Sequence, residues 1–344
     1  MKKDQDIAKV IVSSRVRLAR NLDRVPFKTT VSDAFESVAS SIKKHNSGFM
    51  SARIDQLDPK VATALFEQHL ISRELLANKK NGMIVTKDAQ TDKDAFTTTG
   101  NLRACIMLGE EDHIRIQFMT LGLNLKDAFV DAKRVADSIA RDHKIAHSPE
   151  LGYLTGCPTN LGTAMRASIM MFLPALTKSG QMQNIIRELR GMHITVRGVY
   201  GEGSEASGYM YQISNQACLG MAEEQILGTV EEVAMKLARI ELELQTTMYK
   251  DNPDEITNQV MRSLGLLTHA HMISSDEAVE LIAWLKFGDC LGIVRFKPRI
   301  LDDLFFVIQP ATLSTQNEKA SEVFTRDKMR AKKIAEILKT SRMG

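Results

Sequence analysis

The chain has 344 residues, 44% of them hydrophobic, which is too long for one ordinary core and enough for about two packed domains without disulfide or metal staples. With 45 basic against 42 acidic residues the formal charge is only +3, which excludes a nucleic-acid binder built on bulk basicity. Cys105, Cys157, Cys218 and Cys290 form no CxxC pair, excluding a zinc knuckle or disulfide framework. No apolar run reaches the roughly 20 residues of a membrane span, and the first residues lack a signal-peptide core, so a cytoplasmic protein is expected.

In chain order, residues 10–18 (VIVSSRVRL) alternate and predict a strand with Arg15 and Arg17 on one face and Val10, Val12 and Val16 on the other. Neighbouring guanidiniums repel unless water or an anion receives them, so this face is either solvated or built for a polyphosphate. Residues 32–75 read as helices, with apolar recurrences at Ala34, Val38 and Ile42 and at Val61, Leu65 and Leu70, and nothing there demands chemistry. A short strand at 83–85, a polar loop over 86–100 and a strand over 102–108 lead into GEEDHIRIQF at 109–118. Three carboxylates there run into strict alternation. Ile114, Ile116 and Phe118 share one side; His113, Arg115 and Gln117 share the other, together with Glu111 if the extended geometry reaches back that far.

Residues 126–141 form an amphipathic helix that covers the sheet. Residues 152–167 read as a tight turn followed by a helix capped by Thr163, with Arg166 in its first turn. Cys157, before Pro158, is either a small packed residue or a thiol activated by nearby arginines. A strand over 193–197 carries His193, Thr195 and Arg197 on one face and enters a glycine-rich loop, 198–208, able to close over a ligand with Glu202 and Glu205. No P-loop sequence is present. After a strand at 209–214 and a long helix over 230–244, a polar linker at 251–254 opens a helical region. Ser274 and Glu277 read as a capping box there, Gly288 as a helix stop, and the last helix places Val323, Phe324, Ala331, Ile334 and Leu338 on one face. On that helix Arg326 and Arg330 lie one turn apart beside Asp327, the spacing of a surface ion-pair cluster.

Five arginines at 15, 17, 115, 166 and 197 and two carboxylates at 111 and 202 suit phosphoryl transfer to a cationic acceptor, where catalysis is positioning and charge stabilisation. SSRVRLARN (13–21), EEDHIRIQ (110–117), CPTNLGT followed by Arg166, and VRGVYGEGSEA (196–206) resemble, in order, the motifs of the guanidino (phosphagen) kinases. The resemblance implies an α+β protein. Residues 1–250 would be a catalytic domain with a curved antiparallel sheet flanked by helices, and 251–344 a helical C-terminal domain. It also implies ATP and Mg as cofactors, the metal carried by ATP near Glu110. Arg15, Arg17, Arg115, Arg166 and Arg197 would bind phosphate, Glu111 and Glu202 would hold the guanidinium, and Cys157 would be the active-site thiol. Gly109 departs from the asparagine common in the family. Only twelve residues precede Ser13, where small-molecule members carry a helical domain that encloses the substrate. The pattern is similar to the bacterial branch that acts on arginine side chains of proteins. There RDKMRA (326–331) implies a phosphoarginine site formed by Arg326, Asp327 and Arg330 in a dimer-forming domain, regulating the kinase allosterically. That branch further implies a role in protein quality control and stress response, an activator protein and Clp-type protease machinery as partners, and no nucleic acid or membrane. The alternatives are a kinase of a small guanidine and a non-catalytic phosphoarginine adaptor.

Overall fold

The structure is a computed structural model and describes residues 7–26, 32–77, 82–87, 102–199, 206–316 and 322–343. The strands are β1 (Ile11–Arg20), β2 (Phe49–Arg53), β3 (Met83–Lys87), β4 (Leu102–Leu108), β5 (Ile114–Leu121), β6 (His147–Ser148), β7 (Gly152–Tyr153), β8 (Met165–Phe172), β9 (Ile194–Gly198) and β10 (Met210–Asn215). The helices in the first part of the chain are α1 (Ser32–His45), α2 (Pro59–Glu67), α3 (Arg73–Ala77), α4 (Leu125–Asp142), α5 (Pro174–Lys178), α6 (Met182–Gly191) and α7 (Glu223–Asp251). They are followed by α8 (Pro253–His269), α9 (Ser275–Leu291), α10 (Ile300–Val307), α11 (Pro310–Gln316) and α12 (Val323–Ser341). The protein is α+β.

Eight strands form one sheet in the order β2-β3-β4-β5-β1-β8-β10-β9, every neighbouring pair antiparallel. Strand alternation divides the sheet cleanly. Val16 and Leu18 of β1, Ile114, Ile116 and Phe118 of β5, and Met165, Ala167, Ile169 and Met171 of β8 enter one core with Ala128, Ala132 and Val135 of α4 and Val230 and Ala234 of α7. Each fully buried aliphatic or aromatic side chain there contributes about 1.5–3 kcal/mol, so the hydrophobic face fixes the register of the opposite one.

The opposite face has three parts, the first being Ile84, Cys105 and Met107, which pack with Leu65 of α2 and Leu75 of α3. Val12, Phe172, Val199 and Met210 join the core of the C-terminal helices, with Val260, Ile282, Leu304, Phe305 and Ile334. The remainder of that face carries the arginines. The join is polar as well: Lys286 of α9 reaches Asp302 of α10 at 2.5 Å while lying over the ring of Phe172.

Several local expectations are corrected, among them helix throughout 32–75, which β2 interrupts at Phe49–Arg53. Val12 does not share a face with Val10 and Val16, because a bulge between Ile11 and Ser13 shifts the register and turns it to the C-terminal core. Thr163 caps no helix and Arg166 sits on a strand: MRASIMMF alternates with period two and is paired on both edges, by β1 and by β10. Gly288 lies inside α9, which runs on to Leu291, because Val260 packs against the bare Cα where any Cβ would lie 2.4 Å from its Cγ1. On α12, Ala331, Ile334 and Leu338 are buried as expected, whereas Val323 and Phe324 are exposed, Phe324 at 71%, because the first turn extends past the core. Ser274 does cap α9, its hydroxyl accepting from Glu277 N at 3.2 Å. The stretch 251–254 holds almost no loop, since α7 ends at Asp251 and α8 begins at Pro253.

Candidate functional site

Two adjacent inner strands, β1 and β8, bring the arginines together. Arg17 stands directly across from Arg166, and Arg15 from Ser168. Ala19 lies opposite Arg115 on β5, and Arg197 lies opposite Gln212 on β10. Since i and i+2 share a strand face, these registers place the guanidiniums in adjacent rows. Hydroxyls from the neighbouring strands hold them: Arg166 donates twice to Ser214 Oγ, at 3.2 and 2.9 Å, and Arg15 Nε donates to Ser168 Oγ at 3.3 Å.

This field is electrostatically unfavourable by itself. Burial, then the charges of Arg166 and Arg115, pushes Arg15 down to about 10. Burial, then Arg197 and Arg115, does the same to Arg166. Arg17 is lowered as well, by burial and then by Arg15, Arg166 and Arg115. Stacked cations stripped of water are what a polyanion relieves.

Arg17, Arg115, Arg166 and Arg197 line a cavity of about 530 Å³ with Glu110, Glu111, Cys157, Ser72 and Glu74. Arg15 lies one step further along β1, beside a small cavity walled by His69, Arg299 and Phe306. Arg115 bridges the acidic side, donating to Glu110 Oε1 at 2.5 Å and to Glu111 Oε2 at 3.1 Å. The Glu110 side chain is almost wholly buried, and its other oxygen accepts from Glu111 N at 2.8 Å, so both its oxygens are engaged. Glu111 is the more open of the two, with 40% of its side chain exposed. Cys157 is half-buried at the rim, its Sγ 3.0 Å from Thr159 Oγ1. Glu202 lies outside the described residues, as does Glu205.

The carboxylate turn differs from the extended strand that alternation suggested. β5 begins only at Ile114, and Glu111 reaches the arginine face through a turn closed by Gly109 N donating to His113 O at 3.0 Å. Gly109 has φ of +77°, a region that glycine and asparagine enter most readily, which accounts for glycine where the family carries asparagine. His113 is therefore not on the polar face. It is buried, its Nδ1 accepts from Leu22 N at 3.1 Å, and Nε2 carries the proton toward Pro26 O at 3.0 Å. Gln117 does lie on the arginine side, opposite Arg17.

Residues that sequence reasoning passed over hold this turn in place. Asp112, buried, accepts at Oδ1 from Asn21 Nδ2 at 2.7 Å and from Gly156 N at 2.6 Å, and Asn21 Oδ1 accepts from His113 N at 2.7 Å. A Cβ on Gly156 would lie 2.9 Å from Glu111 O, so the residue before Cys157 must be glycine for the two loops to touch. The signal was the third acid of the EED run. Ser72 and Glu74 gave no signal, since they come from another part of the chain.

A metal has limited protein donors here: among the described residues no group of three or more His, Cys, Asp or Glu side chains could hold one. A Mg ion carried on a triphosphate would ask little of the protein's own donors, because Mg keeps most of its waters.

The cluster of α12 is placed apart from this cleft. Arg330 is buried and spends its fork inside the fold, donating from Nε to Ile308 O at 2.9 Å and from Nη1 to Ile273 O at 2.8 Å and Asp327 Oδ1 at 2.5 Å. Arg326 is half-buried, with no hydrogen-bond partner for its Nε among the described residues.

Comparison with known proteins agrees with this geometry. Residues 30–244 match the family model described as ATP:guanido phosphotransferase, C-terminal catalytic domain. Residues 253–343 match that described as protein-arginine kinase McsB C-terminal domain. The protein-arginine kinase of Symbiobacterium thermophilum is 36% identical over 330 residues, covering 94% of this chain and 92% of that protein. That of Bacillus pumilus is 36% identical over 349 residues, covering 98% and 93%. In fold, the chain is similar to the crystal structure of lombricine kinase, with TM-score 0.55 and 23% identity over 70% of this chain and 68% of that one. It is likewise similar to the duplicated taurocyamine kinase of Schistosoma mansoni, with TM-score 0.56 and 19% identity over 88% of this chain and 46% of that one. The chain therefore belongs to the ATP:guanido phosphotransferase family, among the ATP-dependent phosphotransferases grouped as protein-arginine kinases.

Proposed function

We propose that the protein transfers the γ-phosphoryl group of Mg-ATP to a guanidinium nitrogen of arginine side chains in other proteins. The observation that carries this reading is the arginine field facing Glu111 across one open cleft. Arg15, Arg17, Arg115, Arg166 and Arg197 hold the triphosphate, and the metal neutralises phosphate charge when bound. Glu111 orients the acceptor guanidinium, with Glu202 as its second carboxylate and Cys157 beside the acceptor nitrogens. As the new N–P bond forms, the bond from Pγ to the β,γ-bridging oxygen breaks to release ADP, and the proton leaving nitrogen passes to Glu111. The hydrogen bond that Glu111 Oε2 accepts from the Arg115 guanidinium, at 3.1 Å, supports this role.

The same reading divides the chain into a catalytic unit, residues 1–250, and a helical unit, 251–344, that pairs two copies and binds phosphoarginine through Arg326 and Asp327, with buried Arg330 holding the Asp327 carboxylate in place. The boundary between the two family matches supports the division, and exposed Met261, Leu266, Met272 and Phe324 support a pairing surface on the helices. It makes the cytoplasmic phosphoarginine a mark for degradation by Clp-type machinery under stress, written under control of an activator protein. No helix among the described residues is long and apolar enough to cross a membrane.

The test is incubation with Mg-ATP and casein, with free arginine in parallel. Acid-labile phosphate on casein arginines is expected. Phosphorylation of free arginine alone would make the protein a small-guanidine kinase, and phosphoarginine binding without transfer would make it an adaptor.

A further inference from the structure

One wall of the catalytic cavity comes from the segment between α2 and α3, where plain helix was expected. The segment is gripped from two sides. Glu67, the last residue of α2, accepts from Ala311 N at 2.8 Å, Thr312 N at 2.9 Å and Thr312 Oγ1 at 3.2 Å, which ties it to the start of α11. Two residues on, His69 takes φ of +58°, and its carbonyl accepts from Gln117 Nε2 of β5 at 2.8 Å. Ser72 Oγ then accepts from Leu75 N at 3.1 Å, capping α3 and setting Glu74 in its first turn. Neither end of the wall is a free loop.

What the wall presents is a carboxylate in a place that needs one. The cavity holds the guanidiniums of Arg17, Arg115, Arg166 and Arg197, which repel a cationic acceptor until nucleotide neutralises them. Glu110 is consumed by Arg115 and the Glu111 amide, and Glu111 is shared with Arg115. Glu74 is exposed, lines the same cavity, and makes no hydrogen bond or ion pair among the described residues.

We infer that Glu74 is a specificity-determining residue that contributes a further carboxylate to recognition of the cationic acceptor, on a wall braced by the C-terminal helices through Glu67. This rests on the acceptor being an arginine side chain. Glu74 attracts the approaching guanidinium, or a basic residue beside it, rather than taking part in phosphoryl transfer. Its contribution therefore appears in acceptor binding and fades with salt.

The experiment compares the full-length wild type with Glu74→Gln on an arginine-containing peptide, at low and at high ionic strength. For the variant the peptide KM is expected to rise about fivefold at low salt, the scale of a partly exposed ion pair, with kcat and the KM for ATP unchanged. The wild-type peptide KM should climb with salt until the two enzymes converge. Glu74→Lys should raise it further. Equal peptide KM values and equal salt dependence in wild type and Glu74→Gln would overturn the inference while leaving the kinase reading intact, as would a loss confined to kcat. A wild type that phosphorylates no arginine peptide or protein would overturn the acceptor reading itself.

Discussion

Arg17 of β1 and Arg166 of β8 stand directly across an antiparallel ladder from one another, a like-charge pair in the middle of the sheet. Such pairs destabilise a sheet, and both guanidiniums are pushed down from their ordinary value by burial first and neighbouring arginines second. Under the proposed function, a bound polyphosphate would reverse the sign of this cost.

Removing one of the two should therefore separate stability from function. Arg17→Gln is expected to raise the melting temperature of the nucleotide-free protein by about 2–4 °C. It should also weaken ATP binding by about tenfold or more through loss of charge-assisted bonds. Differential scanning fluorimetry with and without ATP checks both. A lowered melting temperature with an intact ATP shift would mean that Arg17 serves the fold.

Glu111→Gln keeps the size of the side chain while removing the carboxylate proposed to accept the proton. Turnover is expected to fall by about a hundredfold or more, the usual scale for a positioned acid or base, with ATP affinity nearly unchanged. Near wild-type turnover in a steady-state assay would remove Glu111 from the chemistry.

His69 supplies a pH dependence of stability. Burial, with a smaller contribution from the charge of Arg15, pushes it down to about 4 from 6.5. As pH falls below 6.5 the unfolded chain takes up the proton first, so the stability His69 confers is complete above that pH and is lost progressively between 6.5 and 4. His69→Asn retains a residue tolerant of the positive φ at this position. Urea melts across that range should show a shallower acid limb for the variant; identical limbs would show that His69 titrates normally.

Cys157 lies in the same cavity as Glu111 and Arg166. Cys157→Ser should lower turnover without loss of folding, and alkylation of the wild-type thiol should slow when ATP and an arginine peptide are bound. An alkylation rate indifferent to both ligands would remove the thiol from the acceptor site.

In α12 the two arginines separate by burial. Arg330→Ala strands the carbonyls of Ile273 and Ile308 and the carboxylate of Asp327, and should cost about 3–5 kcal/mol of stability by denaturant melts, as for any broken buried pair. Arg326→Ala should keep the fold and weaken phosphoarginine binding in calorimetry. Unchanged affinity there would exclude Arg326 from the proposed phosphoarginine site.

Much of this protein follows from local pattern. Period-two alternation in β1, β5 and β9 is enough to set Arg15, Arg17, Arg115 and Arg197 opposite a hydrophobic face, because a strand with one buried side has a single stable orientation. The four ordered motifs were legible for the same reason: their chemistry is carried by short contiguous runs. Where pattern failed, the deciding contact was distant in sequence. Arg166 is a strand residue because β1 and β10 bind both edges of β8, and Val12 turns away from Val16 because of a bulge. Glu111 enters the cleft through a turn held by Asn21, Asp112 and Gly156. Glu74 joins the site, and Arg330 is folded away from solvent, through contacts made by other elements: Gln117 with His69 O, Glu67 with α11, and the Ile273 and Ile308 carbonyls with Arg330. Alternation and spacing encode which face a side chain takes on its own element. Which elements then close around it depends on burial and hydrogen-bond satisfaction summed over the whole chain, and only the tertiary structure decides that.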